Sequence, residues 1–405
     1  MRQIVARVDA LQVVVVGAGL GGLTAAAALL DRGFRVTVLE QAAALAEVGA
    51  GVQLSANATR ILSLLNLDDA IQTLGVQPAG KEIRLWSTGQ VWPLFDLGAA
   101  SIQQYGHPYV MFHRADLHQA LVQGVRQRDP AAIRLNSRCE SVDLSGSRPA
   151  VVLANGERIE ADLVVGADGV HSRVRRLVVG QDSSALSGLH AWRGVIPTDR
   201  LPEHLRKPVG VNWVGPGRHV IHYPLRRGEL TNFVGIVESH EGGVESWTQQ
   251  GTLADCLADF EGWHDDVQTM IRTIEVHFKW ALMVREPIDN WSCGAVTLLG
   301  DAAHPTLPFL AQGACMALED GYVLARALAA HADDIPAALA AYEAARHERT
   351  ARVVRGSNEN SRRFHNPKLA DAQGATEYVD QQWAPEQVRQ RYEWLFAYQA
   401  DQVAI

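Results

Sequence analysis

The stretch Gly300–Asp320 reads GDAAHPTLPFLAQGACMALED and carries the strongest structural signal in the chain. The apolar run Val296–Leu299 before it predicts a strand, and a proline-broken loop and an alanine-rich helix beginning near Gly313 follow. At such a strand end, Asp301 can present its carboxylate to a sugar or ribityl hydroxyl. The first amides of the helix can bind an anionic ring edge or a phosphate. Taken alone, the stretch also fits an ordinary strand–loop–helix crossover.

A glycine-rich loop near the N-terminus gives a second signal. The β-branched run at residues 12–16 enters the pattern Gly17-x-Gly19-x-x-Gly22. Gly17 permits a tight turn, and Gly19 lets the backbone approach a pyrophosphate. Gly22 lets the next helix, predicted over Leu23–Arg32, pack closely on the strand.

The residues after this helix complete a nucleotide-binding unit. A second predicted strand, Phe34–Leu39, ends in Glu40, where an acidic side chain can bind both hydroxyls of an adenosine ribose. Strand, glycine loop, helix, strand and acidic residue together are typical of dinucleotide binding. The pattern alone does not distinguish FAD from NAD, because both cofactors use it.

A third signal lies between the other two. The apolar run Ala161–Gly166 leads into Asp168-Gly169, and Ser172 and Arg175 fall on the predicted helix that follows. Asp-Gly is also a common turn pair, so a plain strand-to-helix turn is the alternative interpretation. A second nucleotide-type strand at this place, and a third near residue 298, do not suit a simple Rossmann dehydrogenase.

The three motifs, in this order, resemble those of the FAD-dependent single-component aromatic hydroxylases with the p-hydroxybenzoate hydroxylase fold. The resemblance spans about residues 10 to 350 and is closest to 3-hydroxybenzoate 6-hydroxylases, salicylate hydroxylases and 6-hydroxynicotinate 3-monooxygenases. It implies FAD as the cofactor, NADH or NADPH as the co-substrate, and oxygen transfer by a C4a-hydroperoxyflavin. The implied substrate is a small phenolic or hydroxypyridine carboxylate.

The resemblance also assigns cofactor contacts. Asp301 would bind the ribityl chain, Arg114 of an Arg-x-x-Leu motif would lie near the flavin, and Asp168 and Arg175 would also serve the visiting NAD(P)H. Gln41 stands where the family often has an arginine. The full predicted FAD-binding set is Gly17, Gly19, Leu20, Gly22, Glu40, Gln41, Val52, Arg114, Asp168, Arg175, Asp301, Gln312, Gly313 and Ala314.

The expected fold is α/β: a Rossmann-like FAD-binding domain with an inserted, largely antiparallel β-sheet substrate domain and C-terminal helices. We assign residues 1–75, 108–180 and 286–330 to the FAD-binding domain, 76–107 and 181–285 to the substrate domain, and 331–405 to the C-terminal helical segment. Alternating polarity between turn residues predicts seven short strands outside the nucleotide motifs. They are Lys81–Ser87, Gln90–Leu97, Tyr109–His113, Val209–Val214, His219–Leu225, Asn232–Glu238 and Ile274–Met283.

The stretch Arg218–Leu225 holds the predicted catalytic residues. On a strand, His219, Ile221 and Tyr223 share one face. A histidine and a tyrosine there can hold a phenol, although a half-buried strand with a surface histidine is the simpler interpretation. Similar His-x-x-x-Tyr strands in the hydroxylases favour His219 and Tyr223 as catalytic. Phenols ionise near pH 10, so a positioned base helps to form the more reactive phenolate.

The loop Glu47–Asn57 is expected to face the flavin ring from the other side. Its glycines let the backbone approach the ring, and Gln53 can contact flavin or substrate. Helix caps are an equally good account of Ser55 and Asn57.

A third wall is expected from the loop after Gly300. Pro308 and Phe309 are apolar where some relatives place polar side chains, and with Gln53 they form the predicted substrate pocket. Arg193, Arg84 and Arg285 are candidates for binding a substrate carboxylate, although a solvated or structural role is the simpler interpretation for each.

Composition limits the other function classes. The net charge of −8 and the lack of basic runs argue against nucleic-acid binding. The four cysteines are widely spaced, which predicts buried thiols, no metal site and a reducing cytoplasm. No transmembrane segment is expected, and a homodimer is possible. Two alternative activities stay open: decarboxylative hydroxylation of the same substrates, and a flavin-dependent reductase or dehydrogenase without oxygen transfer.

Overall fold

The computed structural model describes residues 11–45, 50–180, 185–238 and 250–405. Twelve α-helices lie within these ranges: α1 Leu20–Leu30, α2 Ala56–Leu64, α3 Asp68–Leu74, α4 Ala99–Tyr105, α5 Arg114–Arg128, α6 Arg173–Val179, α7 Leu253–Asp259, α8 Asp265–Thr273, α9 Gly313–Ala330, α10 Ile335–Phe364, α11 Ala372–Gln382 and α12 Pro385–Phe396. The strands are β1 Gln12–Val16, β2 Arg35–Leu39, β3 Gly51–Leu54, β4 Gly80–Leu85, β5 Val91–Asp96, β6 Val110–His113, β7 Ile133–Arg134, β8 Cys139–Asp143, β9 Ala150–Leu153, β10 Arg158–Glu160, β11 Leu163–Gly166, β12 Ala185–Pro197, β13 Val209–Gly215, β14 Arg218–Leu225, β15 Leu230–Glu238, β16 Phe278–Val284, β17 Ser292–Cys293 and β18 Val296–Leu298.

A six-stranded, mainly parallel sheet organises the nucleotide motifs. Its strand order is β17-β18-β11-β1-β2-β7, and β1 pairs in parallel with β2 and β11. Both faces are covered, so the four valines of β1 are buried. Because neighbouring strands run in parallel, the segments after β1, β2, β11 and β18 emerge at one edge of the sheet. The three motifs, separated by more than a hundred residues, therefore meet there.

A seven-stranded sheet forms the second layer, in the order β16-β12-β15-β14-β13-β4-β5. It is antiparallel except where β13 pairs in parallel with β4, two strands that come from different parts of the chain. The thirteen-residue strand β12 was not predicted, and β16 begins at Phe278 instead of Ile274. These strands all lie within residues 76–107 and 181–285.

One predicted strand lies in a different place. Tyr109–His113 was expected in the antiparallel sheet, but β6 pairs instead with β3 in a separate two-stranded sheet. The segment Gly51–Leu54 was expected to be a loop and forms β3, because its backbone finds complete pairing with β6. Residues 47–49 of the predicted loop Glu47–Asn57 lie outside the described residues.

The C-terminal helices are confirmed, and so is the α/β fold class. Helix α10 runs for 30 residues across the molecule. Helices α11 and α12 cover the substrate-side core with aromatic side chains: Trp383 stacks on Phe364, and Phe396 packs beside Phe95 and Tyr109.

The predictions made from composition concern the cysteines and the hydropathy of the helices. Cys139, Cys256 and Cys315 are buried thiols, but Cys293 is exposed at the edge strand β17, so that part of the prediction was wrong. No helix in the described part of the chain is long and apolar enough to cross a membrane. The same residues contain no cluster of side chains suited to a metal ion.

The glycine loop after β1 combines one crowded position and one open position. A Cβ on Gly22 would lie 2.1 Å from the carbonyl oxygen of Gly17, so α1 can pack on the turn only with glycine there. A Cβ on Gly19 would meet nothing within 4 Å. Gly19 therefore leaves the space that a pyrophosphate needs.

We expect Gly19→Ala to keep the fold and weaken FAD binding. The added methyl group would occupy the space that the pyrophosphate needs and weaken the free energy of FAD binding by about 1–3 kcal/mol. This corresponds to roughly a 5- to 150-fold loss of FAD affinity. Gly22→Ala is the matched comparison and should lower the melting temperature as well, because its methyl group meets backbone. Differential scanning calorimetry and FAD titration measure both effects. Wild-type FAD affinity in Gly19→Ala would contradict the role of Gly19.

Candidate active site

A cavity of about 270 Å³ lies between the antiparallel sheet and the edge of the parallel sheet where the motifs meet. One wall comes from alternate residues of four neighbouring strands, as the two-residue period of a strand requires: Ala191, Arg193, Ile221, Tyr223, Val234, Ile236, Trp280 and Leu282. The opposite wall comes from β3, α5, the loop after β18 and the start of α9: Gly51, Val52, Gln53, Arg114, Asp301, Pro305, Thr306, Leu307, Pro308, Ala311, Gly313 and Ala314.

The structure brings eight of the predicted site residues to this cavity. They are Val52, Gln53, Arg114, Tyr223, Asp301, Pro308, Gly313 and Ala314. The nucleotide-loop residues gather at the neighbouring sheet edge, outside the cavity. Phe309, Gln312 and His219 are buried behind its lining.

Glu40 is positioned by the glycine loop. Its carboxylate accepts hydrogen bonds from the amides of Ala18, at 3.0 Å, and Ala42, at 2.8 Å. The side chain thus lies beside the turn that a nucleotide would contact. Leu20 is the buried first residue of α1, whereas Gln41 is exposed.

Asp168 and Arg175 hold the second motif together. The Ser172 hydroxyl and the Arg173 amide donate hydrogen bonds to the Asp168 carboxylate, which fixes the start of α6. The buried Arg175 donates two hydrogen bonds, both of 2.8 Å, to the carbonyl oxygens of Ala302 and Ala303. Arg175 therefore ties the second motif to the loop that carries Asp301.

The loop after Gly300 is anchored by Asp320, which lies on α9. The Asp320 carboxylate accepts hydrogen bonds from the Gly300 amide at 2.9 Å, from His304 Nε2 at 2.6 Å and from Arg346 Nε at 2.7 Å. Burial opposes ionisation of Asp320, but His304 and Arg346 outweigh it and lower its pKa to about 2. The carboxylate is charged at neutral pH and fixes both ends of the loop segment 300–304.

The neighbouring Glu319 anchors the other side of the cavity. Its buried carboxylate accepts hydrogen bonds from Asn57 at 2.6 Å and from two nitrogens of Arg349 at 2.8 Å. Asn57 also donates to Gln312 Oε1, and Gln312 donates to Ser55 Oγ. Ser55 stands at the N-cap position of α2, as the helix-cap interpretation had it, but its side chain makes no capping hydrogen bond. The side chains of Ser55 and Asn57 instead bind Gln312 at the start of α9.

Sequence reasoning missed this buried ionic cluster, which we define as Glu319, Asp320, Arg346 and Arg349. A signal was present in the sequence. Two adjacent acidic residues interrupt the apolar helix α9, and two arginines three residues apart lie on one face of α10. Charges at such positions are buried only when they are paired.

Tyr223 approaches the flavin-side wall closely. A Cβ on Gly51 would lie 2.4 Å from the Tyr223 hydroxyl oxygen, so the phenol packs against bare backbone. Gln53 hydrogen-bonds Tyr223 and accepts a hydrogen bond of 2.7 Å from the Tyr109 hydroxyl. Burial raises the pKa of Tyr223 above its usual value. Tyr223 is therefore a neutral hydrogen-bond donor at neutral pH.

The three candidate arginines lie in different surroundings. Arg193 lines the cavity, with its guanidinium 5.4 Å from the centre of the Trp280 ring. Arg84 is buried outside the cavity lining, bound to Glu82 at 3.0 Å. Arg285 donates to the carbonyl oxygen of Val170 and does not line the cavity. Arg193 alone of the three can reach a ligand in the cavity.

His219 and Phe309 pack together behind the lining. The two rings meet edge to face with their centres 5.0 Å apart, and His219 is fully buried. His219 pairs across the sheet with Ile236, which does line the cavity. His219 thus lies behind the cavity wall on the same strand face as Tyr223, and its catalytic role stays a prediction.

The residues present fit FAD. The space beside Gly19 is open, so a pyrophosphate could approach the backbone there, and Glu40 lies next to it. Asp301 is exposed on the cavity side of the loop. Backbone from Gly51, Gly313 and Ala314 lines the cavity without bulky side chains, as close approach of a planar ring requires. Which of these residues contact the cofactor stays a prediction.

Replacing Asp320 by asparagine should strongly destabilise the fold. Removing one partner leaves Arg346 buried with less compensation, at a cost of about 3–5 kcal/mol. Urea unfolding followed by circular dichroism measures the change. Glu386→Gln, which removes an exposed carboxylate beside Arg389, is the matched control. A loss in Asp320→Asn no larger than in the control would contradict an anchoring role.

The same anchor predicts the pH dependence of stability. The pKa of Asp320 is lower in the folded chain than the ordinary aspartate value of about 3.9. Its contribution is therefore complete above about pH 4 and is lost as the pH falls toward 2. In Asp320→Asn this part of the acid transition should disappear.

Comparison with known proteins identifies the family. Residues 10–357 match the FAD binding domain family. The chain is 37% identical over 390 residues to a 3-amino-4-hydroxybenzoate 2-monooxygenase of Streptomyces platensis, covering 96% of both chains. It is 36% identical over 393 residues to a 3-hydroxybenzoate 6-hydroxylase of Polaromonas naphthalenivorans, again covering 96% of both.

A solved structure gives the same answer. Klebsiella pneumoniae HpxO, complexed with FAD and uric acid, superposes with a TM-score of 0.81 at 26% identity, covering 96% of each chain. The predictions of FAD as cofactor and of a flavin-dependent monooxygenase are therefore confirmed. The chain belongs to the FAD binding domain family, among its aromatic-ring monooxygenases.

Proposed function

We propose that this enzyme hydroxylates a small aromatic acid that carries a ring hydroxyl, a phenolic or hydroxypyridine carboxylate, using O₂ and NADH or NADPH. The observation that carries the proposal is the pairing of Arg193 and Tyr223 on the otherwise apolar wall that the antiparallel sheet gives the cavity. The wall offers a cation for a carboxylate and a neutral donor for a ring oxygen. The two relatives named above act on hydroxybenzoates, which supports this substrate class.

Arg193 is the proposed carboxylate-binding residue. It lies on β12, a strand whose neighbouring cavity residue is the apolar Ala191. A guanidinium can bind both oxygens of a carboxylate, and it does so most strongly away from bulk water. The Trp280 ring beneath Arg193 restricts where the guanidinium can lie. This arrangement would fix the direction in which the aromatic ring enters.

Tyr223 is proposed to bind the ring oxygen of the substrate. Its phenol stays protonated at neutral pH, because burial raises its pKa. It can therefore donate to a phenolate oxygen, which stabilises the ionised and more reactive form of the substrate. His219 is the proposed base, placed on the same strand face as Tyr223 and two positions before Ile221.

The apolar side chains have a separate role in this proposal. Ile221, Val234, Ile236 and Leu282 cover the sheet side of the cavity. They would exclude water from the aromatic ring and strengthen the polar contacts that remain. FAD, when bound, supplies the activation of O₂ and the electrophilic oxygen. Pro308 adds a further apolar contact to the cavity. Phe309 does not line the cavity and would influence the site through the His219 ring, against which it packs edge to face.

The test is product analysis under ¹⁸O₂ with a panel of hydroxybenzoates and hydroxypyridine carboxylates. The proposal expects substrate-stimulated NAD(P)H oxidation and a product that has gained one ¹⁸O atom. Loss of CO₂ in the same product would identify the decarboxylating version. NAD(P)H oxidation with no labelled product from any substrate would leave a reductase and contradict the proposal. Tyr223→Phe should retain FAD and lower the yield of labelled product.

Arg193→Ala tests the carboxylate site. Hydrogen bonds to charged groups contribute about 1.5–3 kcal/mol, so the KM for the accepted acid should rise roughly 10- to 150-fold. Arg193→Lys should recover part of the loss. The matched control is the amide of the same acid, whose KM should not respond to Arg193→Ala. Equal changes for acid and amide, or none for either, would exclude Arg193 from carboxylate binding.

We further propose a division into domains, a cytoplasmic location and a homodimer. The domain division at residues 75, 107, 180, 285 and 330 follows the distribution of strands between the two sheets. The cytoplasmic location rests on the four free cysteines, and the homodimer rests on the resemblance to the hydroxylases. Light scattering of the purified holoenzyme tests the homodimer directly.

A further inference from the structure

A histidine side chain of helix α5 binds the backbone of the glycine loop directly. His118 Nε2 lies 2.7 Å from the carbonyl oxygen of Ala18. A carbonyl oxygen only accepts hydrogen bonds, so His118 donates through Nε2–H and carries its lone pair on Nδ1. Nδ1 is buried and has no partner among the residues that the structure describes. Within that part of the chain, the contact with Ala18 is therefore the only hydrogen bond of this imidazole.

The surroundings of His118 make this hydrogen bond important. The side chain is only 3% exposed. It lies among buried residues of α5 that are largely apolar: Leu117, Leu121, Val122 and Val125. Burying a polar ring costs free energy unless the ring is hydrogen-bonded. The helix is itself fixed at its start, where the Arg114 amide donates to the carbonyl oxygen of Ala50 at 2.7 Å, so His118 reaches the loop from a rigid support.

The neighbouring peptide groups of the glycine loop are held by other parts of the molecule. The Ala18 amide donates to Glu40 Oε2 at 3.0 Å. The carbonyl oxygen of Gly19 accepts a hydrogen bond of 2.9 Å from the Leu23 amide. His118 supplies the hydrogen bond for the peptide group between these two, the one that joins Ala18 to Gly19.

The peptide group between Ala18 and Gly19 needs such a bond because glycine does not fix its orientation. A peptide group turns over when ψ of the residue before it and φ of the residue after it change together. The residue after it here is Gly19, which can adopt either sign of φ at little cost. The two orientations exchange the places of the Ala18 carbonyl oxygen and the Gly19 N–H.

The observed orientation leaves the Gly19 N–H available to a ligand. In a trans peptide the C=O and N–H groups point in opposite directions, and the Ala18 C=O points to His118. In the described part of the chain the Gly19 N–H makes no hydrogen bond, and a Cβ on Gly19 would meet nothing within 4 Å. An N–H beside this space can donate to a phosphate oxygen, whereas a carbonyl oxygen in its place would repel the phosphate charge.

We infer that His118 is a positioning residue for FAD: it binds the Ala18 carbonyl oxygen and thereby keeps the Gly19 N–H turned toward the pyrophosphate. His118 acts through the loop and does not touch the cofactor. The fraction of molecules whose peptide group has the binding orientation sets the apparent affinity for FAD. This role is independent of the substrate proposed above, since it concerns only how the cofactor is bound.

His118→Leu removes the donor and keeps an apolar side chain in the same place. Both orientations of the peptide group are then accessible, so the Kd for FAD should rise roughly 3- to 10-fold. His118→Gln should restore most of the affinity, because a glutamine side chain can donate from about the position of Nε2. Gln119→Leu is the matched control. Gln119 is exposed on the same helix, and its side chain donates to the carbonyl oxygen of Leu45, outside the glycine loop.

Two measurements on the holoenzyme separate the pyrophosphate from the flavin ring. Serial dilution, with released FAD followed by its fluorescence, gives the Kd. Phosphorus NMR at saturating FAD reports the pyrophosphate itself. Its resonances should shift in His118→Leu and keep their wild-type positions in His118→Gln and Gln119→Leu. The visible absorption of the bound flavin should be the same in all variants, because the ring binds at the cavity and not at the loop.

The outcomes distinguish a positioning role from a purely structural one. Wild-type Kd and phosphorus resonances in His118→Leu, with or without a lower melting temperature, would show that His118 only fills the core. A loss of affinity that His118→Gln does not restore would also overturn the inference. If His118→Leu does not fold, His118→Asn replaces it, because the shorter amide cannot reach the Ala18 carbonyl oxygen. Equal affinities in His118→Asn and His118→Gln would then contradict the role.

Discussion

The Asp320 carboxylate is the interaction on which the site depends. One side chain binds the Gly300 amide, His304 and Arg346, and so connects the end of a parallel strand, the loop that lines the cavity and the long helix α10. Buried charge is costly unless it is fully paired. In the ionic cluster two carboxylates face two guanidinium groups, so each charge has an opposite charge beside it. A loop built from prolines and small residues is thereby held in one conformation.

The cavity follows from the way two different sheets are combined. The parallel sheet brings nucleotide motifs to one edge because its strands all run in the same direction. The antiparallel sheet presents alternate side chains to the cavity because its strands have a two-residue period. Gly51, in the two-stranded sheet of β3 and β6, contacts the antiparallel sheet directly, with its amide on Asn232 and the Tyr223 ring against its backbone. The nucleotide motifs and the predicted substrate wall are thus supplied by different sheets.

Local sequence patterns predicted where strands and helices lie better than they predicted which strands pair with each other. The strand at β14 and the helix beginning at Gly313 were predicted within a residue or two, since alternation and helix starts are local signals. Strand β12 was missed and Tyr109–His113 was placed in the wrong sheet, because pairing depends on residues far along the chain. Arg193 was one of three equal candidates until the fold placed it in the cavity.

The sequence by itself determined the cofactor class, because Gly17 to Gly22, Glu40, Asp168 and Asp301 are motifs whose chemistry is local to a strand end. Only the tertiary structure decided how the site is supported. The pairing of Asp320 with Arg346 joins residues 26 positions apart, and His118 binds the carbonyl oxygen of Ala18, which lies 100 positions earlier. Such contacts depend on how distant elements pack together, and this cannot be predicted from the spacing of residues within one element.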